Sequence, residues 1–299
     1  MEFVRTPDEH FAGLPDWPYE PNYTNIPVGD GESLRMAYID EGPRDAAHTF
    51  LCLHGQPTWS YLYRHMIPVF LGSGARVVAP DLLGMGRSDK PVDDAVYTFD
   101  FHRNVLQTFL RKLDLKNVTL VCQDWGGILG LTLPMDDPDR FDRLIVMNTA
   151  LPVGESLGQG FADWRAYTSS KPEFSISGLM KRSVPTLSEA EAAAYDAPFP
   201  SERHRASIRT FPKLVMTEPE MNGADTMKRA RDWWSKDWTG ESFMAVGLQD
   251  PVFGLEVMEG VRSHIKGCPE PFPVSEGGHF VQEHGKQIAE AALRAFGKN

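Results

Sequence analysis

Short apolar runs, recurring along the chain with amphipathic stretches between them, constrain the fold more than any other feature. They are TFLCLHG (49–55), ARVVAPD (75–81), NVTLVCQD (117–124), RLIVMNT (143–149), SFMAVGLQD (242–250) and PFPVSEGGH (271–279). Runs that are apolar at consecutive positions suit strands buried on both faces, the central strands of a parallel sheet covered by helices. FHRNVLQTFLRKLDL (101–115) carries the 3.6-residue rhythm of a crossover helix, and GKQIAEAALRAFGKN (285–299) reads as a closing helix. Strands alternating with helices predict an α/β fold with a mostly parallel, doubly wound sheet, whose ligands bind beyond the carboxyl ends of the strands. GESLRMAYIDEG, within the first forty-odd residues, predicts an antiparallel hairpin at the sheet edge.

The strand rhythm stops between about 151 and 227, where SLGQGFADWRAYTSS, LSEAEAAAYDAPFP and SERHRASIRTFPKL replace it with short helical patterns. A structureless loop of that length is improbable inside a compact domain. The expected organisation is therefore a core of residues 1–151 and 228–299 interrupted by a helical cap of residues 152–227.

A net charge of -11 has the wrong sign for binding nucleic acid or anionic lipid through phosphate charge. No apolar run reaches the roughly 20 residues a membrane span needs, and the first residues lack the basic-then-apolar order of a signal peptide. We expect a cytoplasmic monomer without nucleic-acid or membrane partners. Cys52, Cys122 and Cys268 are too few and too far apart for a disulfide framework or a zinc cluster.

VTLVCQDWGGILGL passes from strand to helix through Gln123, Asp124, Trp125, Gly126 and Gly127. Small residues two before Asp124 (Cys122) and two after it (Gly126) give the spacing of a nucleophile elbow, a strained turn that lifts one side chain above the sheet. Taken alone, Asp124 reads equally well as a helix N-cap. Further along, Asp250 ends the strand run FMAVGLQD, and His279 follows FPVSEGG. Singly, Asp250 is a turn residue before Pro251 and His279 a loop histidine. Together the three residues stand in the order nucleophile, acid, histidine, each at the carboxyl end of a predicted strand, and so satisfy the pattern of a catalytic triad. His54-Gly55-Gln56-Pro57 follows an early strand, where the backbone N–H of Gln56 joins that of Trp125 as an expected oxyanion hole. His54 is expected to hold this loop.

HGQPTWSYLYR, APDLLGMGRSDKP, YTFDFHRN, TLVCQDWGG, YDAPFP and GGHFVQE together resemble the haloalkane dehalogenases of the α/β-hydrolase superfamily, in particular their first subfamily, over nearly the whole chain. The resemblance implies Asp124 as nucleophile, Asp250 as triad acid, His279 as base and Trp125 as one halide-binding residue. It also implies Trp164 in the first cap helix as the second halide donor, with Phe161 one turn before it in the substrate pocket. Members of that subfamily often carry Glu where this chain has Gln56, a change that alters pocket charge more than a role played by backbone.

The implied chemistry suits these residue types. A free aspartate side chain has a pKa of about 3.9, so it is ionised without help and can displace halide from an sp3 carbon, forming an alkyl ester. Histidine then activates water to hydrolyse that ester. Indole N–H groups donate without accepting and carry no formal charge, which suits a leaving halide in an apolar pocket. The expected substrates are a small halogenated alkane and water, the products an alcohol, a halide ion and a proton, with no cofactor and no metal. Epoxide hydrolases are the nearest alternative, since they share the triad and the cap and use cap tyrosines as the acid, for which Tyr167 and Tyr195 are the candidates. Fluoroacetate-type dehalogenation would call for a cationic clamp, which is not evident. A serine esterase lacks its Gly-x-Ser-x-Gly here, and a silent scaffold would be expected to lose a triad residue.

Overall fold

The structure is a computed structural model and describes residues 1–29, 31–171 and 173–297. Its strands follow the apolar runs: β1 (Asn22–Gly29), β2 (Glu32–Glu41), β3 (Thr49–Leu53), β4 (Arg76–Pro80), β5 (Val118–Gln123), β6 (Phe141–Met147), β7 (Glu241–Gly247) and β8 (Phe272–Val274). Among the described residues these form one sheet in the order β8-β7-β6-β5-β3-β4-β2-β1. The six strands from β8 to β4 run parallel, and β2 and β1 join them as an antiparallel hairpin at the edge.

Every residue of β3, β4 and β5 is buried, as strands covered on both faces require. Successive side chains take opposite faces. Leu51, Leu53, Leu120 and Cys122 pack on one side with Phe109 of helix α2 (Phe99–Leu113) and Ile128 of α3 (Asp124–Gly130). Phe50, Cys52 and Val121 pack on the other with Ile67 and Phe70 of helix α1 (Ile67–Gly72) and with Ile288 and Ala292 of the closing helix Gly285–Ala295. The last two residues of the expected closing helix, Lys298 and Asn299, lie outside the described residues. α2 begins at Thr98, whose hydroxyl accepts from the Phe101 N–H, and ends where Asp114 turns left-handed at φ 45°.

Between β6 and β7 come α4 (Gln159–Ser170), α5 (Ile176–Ser183), α6 (Glu189–Asp196), α7 (Ala206–Leu214) and α8 (Ala224–Lys236). Helix α8 runs unbroken across position 227/228, where the sequence places the end of the cap. Its Trp234 is buried and donates its indole N–H to the Leu131 carbonyl at 2.6 Å, so α8 packs on the core. The limit read from composition falls inside this helix. No helix among the described residues is long and apolar enough to cross a membrane.

The parallel register aligns the ends of the central strands: Leu53 pairs with Cys122, Gln123 with Met147, Met147 with Ala245, and Gly247 with Val274. The residues just beyond these ends, Gln56, Asp124, Asn148, Asp250 and His279, therefore gather at one edge. The chain moves in opposite directions from β3 to β4 and to β5, so this edge contains the switch point of the sheet.

Candidate active site

Asp124 is the first residue of α3 and adopts φ 49°, a left-handed conformation that is strained for a non-glycine residue by on the order of 1 kcal/mol. Gln123, not Asp124, occupies the N-cap position. Three contacts hold the turn. The Asp124 N–H donates to the Asn148 carbonyl at 3.0 Å, the Thr149 hydroxyl donates to the Asp124 carbonyl at 2.7 Å, and α3 presses against β3. A Cβ at Gly126 would stand 1.9 Å from the Leu53 carbonyl oxygen, and one at Gly55 would stand 2.1 Å from the Asp124 carboxylate. Glycine at both positions lets the turn at Asp124 and the loop after β3 approach each other.

The two carboxylate oxygens of Asp124 face different partners. Oδ1 accepts from the Gln56 backbone N–H at 2.7 Å, and Oδ2 lies 3.4 Å from His279 Nε2. On the far side of the imidazole, Nδ1 meets Asp250 Oδ2 at 2.8 Å. Asp250 Oδ1 accepts from the Val252 N–H at 2.8 Å, and Oδ2 also accepts from the Asn148 side-chain amide at 2.9 Å. Burial would push the Asp250 carboxyl up, but His279 and the N–H groups of Val252 and Phe253 hold it below the ordinary range. For His279, burial disfavours the charged form. The Asp250 and Asp124 carboxylates on either side outweigh it and raise the group from 6.5 to about 10.

These groups open onto a cavity of about 100 Å³ lined by Gln56, Asp124, Trp125 and His279 and otherwise by mainly apolar side chains, including Phe161, Trp164, Val215 and Phe253. Among the described residues no lysine or arginine lines it. Trp59, Trp234 and Trp238 each donate the indole N–H to an acceptor in the protein, namely Ala194 O, Leu131 O and Ser242 Oγ. Among the described residues neither Trp125 nor Trp164 has such an acceptor. Trp125 is held edge-on against Phe211, and Trp164 stacks on Tyr167 and meets Phe174 edge-on. Phe161 stacks on Phe253, which in turn contacts the His279 ring. Among the described residues, no cluster of three or more His, Cys, Asp or Glu side chains is placed to hold a metal ion.

Residues 48–286 match the alpha/beta hydrolase fold family. Over its full length the chain is 42% identical to a haloalkane dehalogenase of Psychrobacter cryohalolentis, covering 99% of that protein. It is 38% identical to a haloalkane dehalogenase of Mycolicibacterium paratuberculosis, with 98% of each chain covered. A solved haloalkane dehalogenase from Paraglaciecola agarilytica NO2, described as tetrameric, superposes with a TM-score of 0.95 at 52% identity over 98% of each chain. This chain belongs to the haloalkane dehalogenases.

In this haloalkane dehalogenase the residues singled out in the sequence, Asp124, Asp250, His279, Trp125, Trp164, Gln56 and Phe161, come together around or beside one cavity. His54 lies off it, buried. Its Nε2 accepts from the Leu82 N–H at 2.9 Å and its Nδ1 lies 2.8 Å from the Gly55 carbonyl, while burial holds it below the usual histidine range. The cap tyrosines do not line the cavity. Tyr195 is fully buried with its hydroxyl on Glu283, and the Tyr167 hydroxyl accepts from Arg182 at 3.4 Å.

Sequence reasoning missed Asn148. Its side chain accepts from the Gly247 N–H at 2.8 Å and donates to Asp250, Gly247 and Phe253, bracing the loop that carries Asp250. Its place directly after β6, in the row of strand ends, is the signal that points to it. Gln123 and Gln282 were also missed. The Gln123 amide donates to the His279 carbonyl at 2.9 Å and receives the Gln282 amide at 3.2 Å.

Proposed function

We propose that this dehalogenase works through a covalent ester of Asp124. In the first step the Asp124 carboxylate attacks the halogen-bearing carbon, the carbon–halogen bond breaks, and the halide leaves toward the Trp125 and Trp164 indole N–H groups. In the second step His279 takes a proton from water, the hydroxide adds to the ester carbonyl carbon, and the N–H groups of Gln56 and Trp125 hold the developing oxyanion. The ester then splits to alcohol and free carboxylate. One water and one haloalkane give one alcohol, one halide and one proton.

Esterification removes one of the two carboxylate charges that keep His279 charged. Esterification therefore shifts the imidazole towards the neutral form that a base needs, while Asp250 keeps its orientation. The observation that carries the reading is the pair of indole N–H groups without protein acceptors beside an ionisable carboxylate in an apolar cavity. The absence of lysine and arginine from the lining favours an uncharged substrate, and the cavity size favours a short one. Epoxide hydrolysis would need an acid over the cavity, and both cap tyrosines lie away from it. The 52% identical Paraglaciecola relative is described as tetrameric, which does not favour the expected monomer.

Halide release from 1-bromobutane, 1,3-dibromopropane and 1-chlorobutane, with Asp124→Ala as control and styrene oxide in parallel, tests the proposal. Asp124-dependent halide is the expected result. Epoxide turnover without halide would overturn it.

A further inference from the structure

Three of the segments that resemble the family end or begin on residues the mechanism above does not use: Arg64 closes HGQPTWSYLYR, Glu283 closes GGHFVQE, and Tyr195 opens YDAPFP. The fold brings all three together. The Arg64 side chain has no exposed surface, and its guanidinium makes a two-pronged contact with the Glu283 carboxylate at 2.8 and 2.7 Å. Arg64 also donates to the Tyr195 hydroxyl at 3.2 Å and to Glu191 at 3.3 Å, and it lies 4.4 Å from the centre of the Tyr61 ring. The Tyr195 hydroxyl in turn donates to Glu283. Both Tyr195 and Glu191 belong to cap helix α6, and Glu191 also closes its first turn in a capping box with Ser188.

Glu283 sits four residues beyond His279, and the stretch between is short and tightly held. The strand that leads into it, β8, has only three residues and so gives little anchorage. On one side the His279 carbonyl accepts from Gln123, the last residue of the strand before Asp124, and Gln282 donates to the same Gln123 side chain. On the other, Glu283 is tied to the segment after the Gln56 loop and to the cap. A buried guanidinium requires its carboxylate, and the planar, two-pronged pair fixes direction as well as distance.

We propose that Arg64, Glu283 and Tyr195 are positioning residues that hold the backbone of His279 in place for hydrolysis of the Asp124 ester and link that placement to the cap. The inference rests on the two-step mechanism given above. The first step needs Asp124 and the indole donors, none of which touches this cluster. The second needs a water placed between His279 Nε2 and the ester carbon, where small displacements are costly. Loss of the cluster therefore slows the second step selectively.

Rapid-quench measurements of halide and alcohol in Glu283→Gln and Tyr195→Phe separate the steps. In Glu283→Gln we expect the first equivalent of halide to appear within roughly threefold of the parent rate. Alcohol formation in a single turnover should fall roughly 10- to 100-fold, with alkylated Asp124 accumulating in the mass spectrum. Tyr195→Phe retains the ring and the ion pair, so it keeps the proposal testable if Glu283→Gln does not fold, and it should shift the same ratio in the same direction by less. A uniform loss in both steps, or a lower melting temperature with both rates unchanged, would reduce the cluster to a structural role and overturn the proposal. Halide release by the parent that survives Asp124→Ala would instead remove the mechanism beneath it, and is seen before either variant is made.

Discussion

Replacing Asp250 by asparagine keeps the side chain's size and removes the carboxylate that faces His279 Nδ1 at 2.8 Å. His279 is raised from 6.5 to about 10 against the cost of burial, a net effect of about 5 kcal/mol, so the favourable interaction with its two carboxylate neighbours exceeds that figure. Asp250 is the larger of these influences. A neighbouring opposite charge moves a pKa by roughly 1 to 3 pH units, so Asp250→Asn should lower the His279 value by that much, or about 1.4–4 kcal/mol. The folded-state value lies above the unfolded one. The stabilising contribution is therefore complete below pH 6.5 and is lost as the pH rises towards about 10. The parent's advantage in unfolding free energy over Asp250→Asn should be greatest near the lower limit and shrink by about 1.4–4 kcal/mol across this range. Other titrating groups cancel in the difference between the two proteins. Urea unfolding at fixed pH values, with NMR titration of the His279 ring in both proteins, measures both quantities. A gap that stays constant with pH, or a His279 that titrates as in the parent, would refute the electrostatic account of this site.

Further outcomes follow from individual contacts. Trp164→Phe should weaken halide binding, read by quenching of tryptophan fluorescence, roughly 10- to 100-fold, the worth of a hydrogen bond to a charged group. Gly126→Ala places a Cβ 1.9 Å from the Leu53 carbonyl, between two segments of backbone that cannot yield. It should lower stability by at least about 1–3 kcal/mol in urea unfolding and remove halide turnover, and full activity in this variant would show that the elbow does not need its close approach. Asn148→Ala leaves the Gly247 N–H without its partner and takes one of two donors from Asp250 Oδ2. It should cost about 1–3 kcal/mol in thermal unfolding and lower the rate of alcohol formation, whereas an unchanged rate would confine Asn148 to packing. Tyr167→Phe should leave halide turnover within roughly threefold of the parent, and a complete loss would restore the tyrosine to the chemistry.

Features set by a few neighbouring residues were legible in the sequence. Consecutive apolar positions in 118–123 demand a strand with no wet face, and the same burial places that strand in the middle of the sheet. The elbow was legible because its constraint is steric and local: a strained residue between small neighbours has few alternatives. Asp250 and His279 could be placed because each lies in the short loop after its own strand, and a parallel sheet brings such strand ends to one edge. What joins elements far apart in the chain left no such trace. Asn148 and Asp250 are 102 residues apart, and Arg64 and Glu283 are 219 apart. Periodicity says nothing about which distant side chain a buried amide or guanidinium will meet. The same holds for the cap tyrosines. Their presence can be read from composition, but their distance from the cavity depends on how α6 seats against the core, where Glu283 and Arg64 draw the Tyr195 hydroxyl inward. The sequence by itself determined which residues stand at the strand ends. Only tertiary packing decided which of them face one another, because the desolvation of a buried charge is satisfied by whatever partner the folded chain brings within reach.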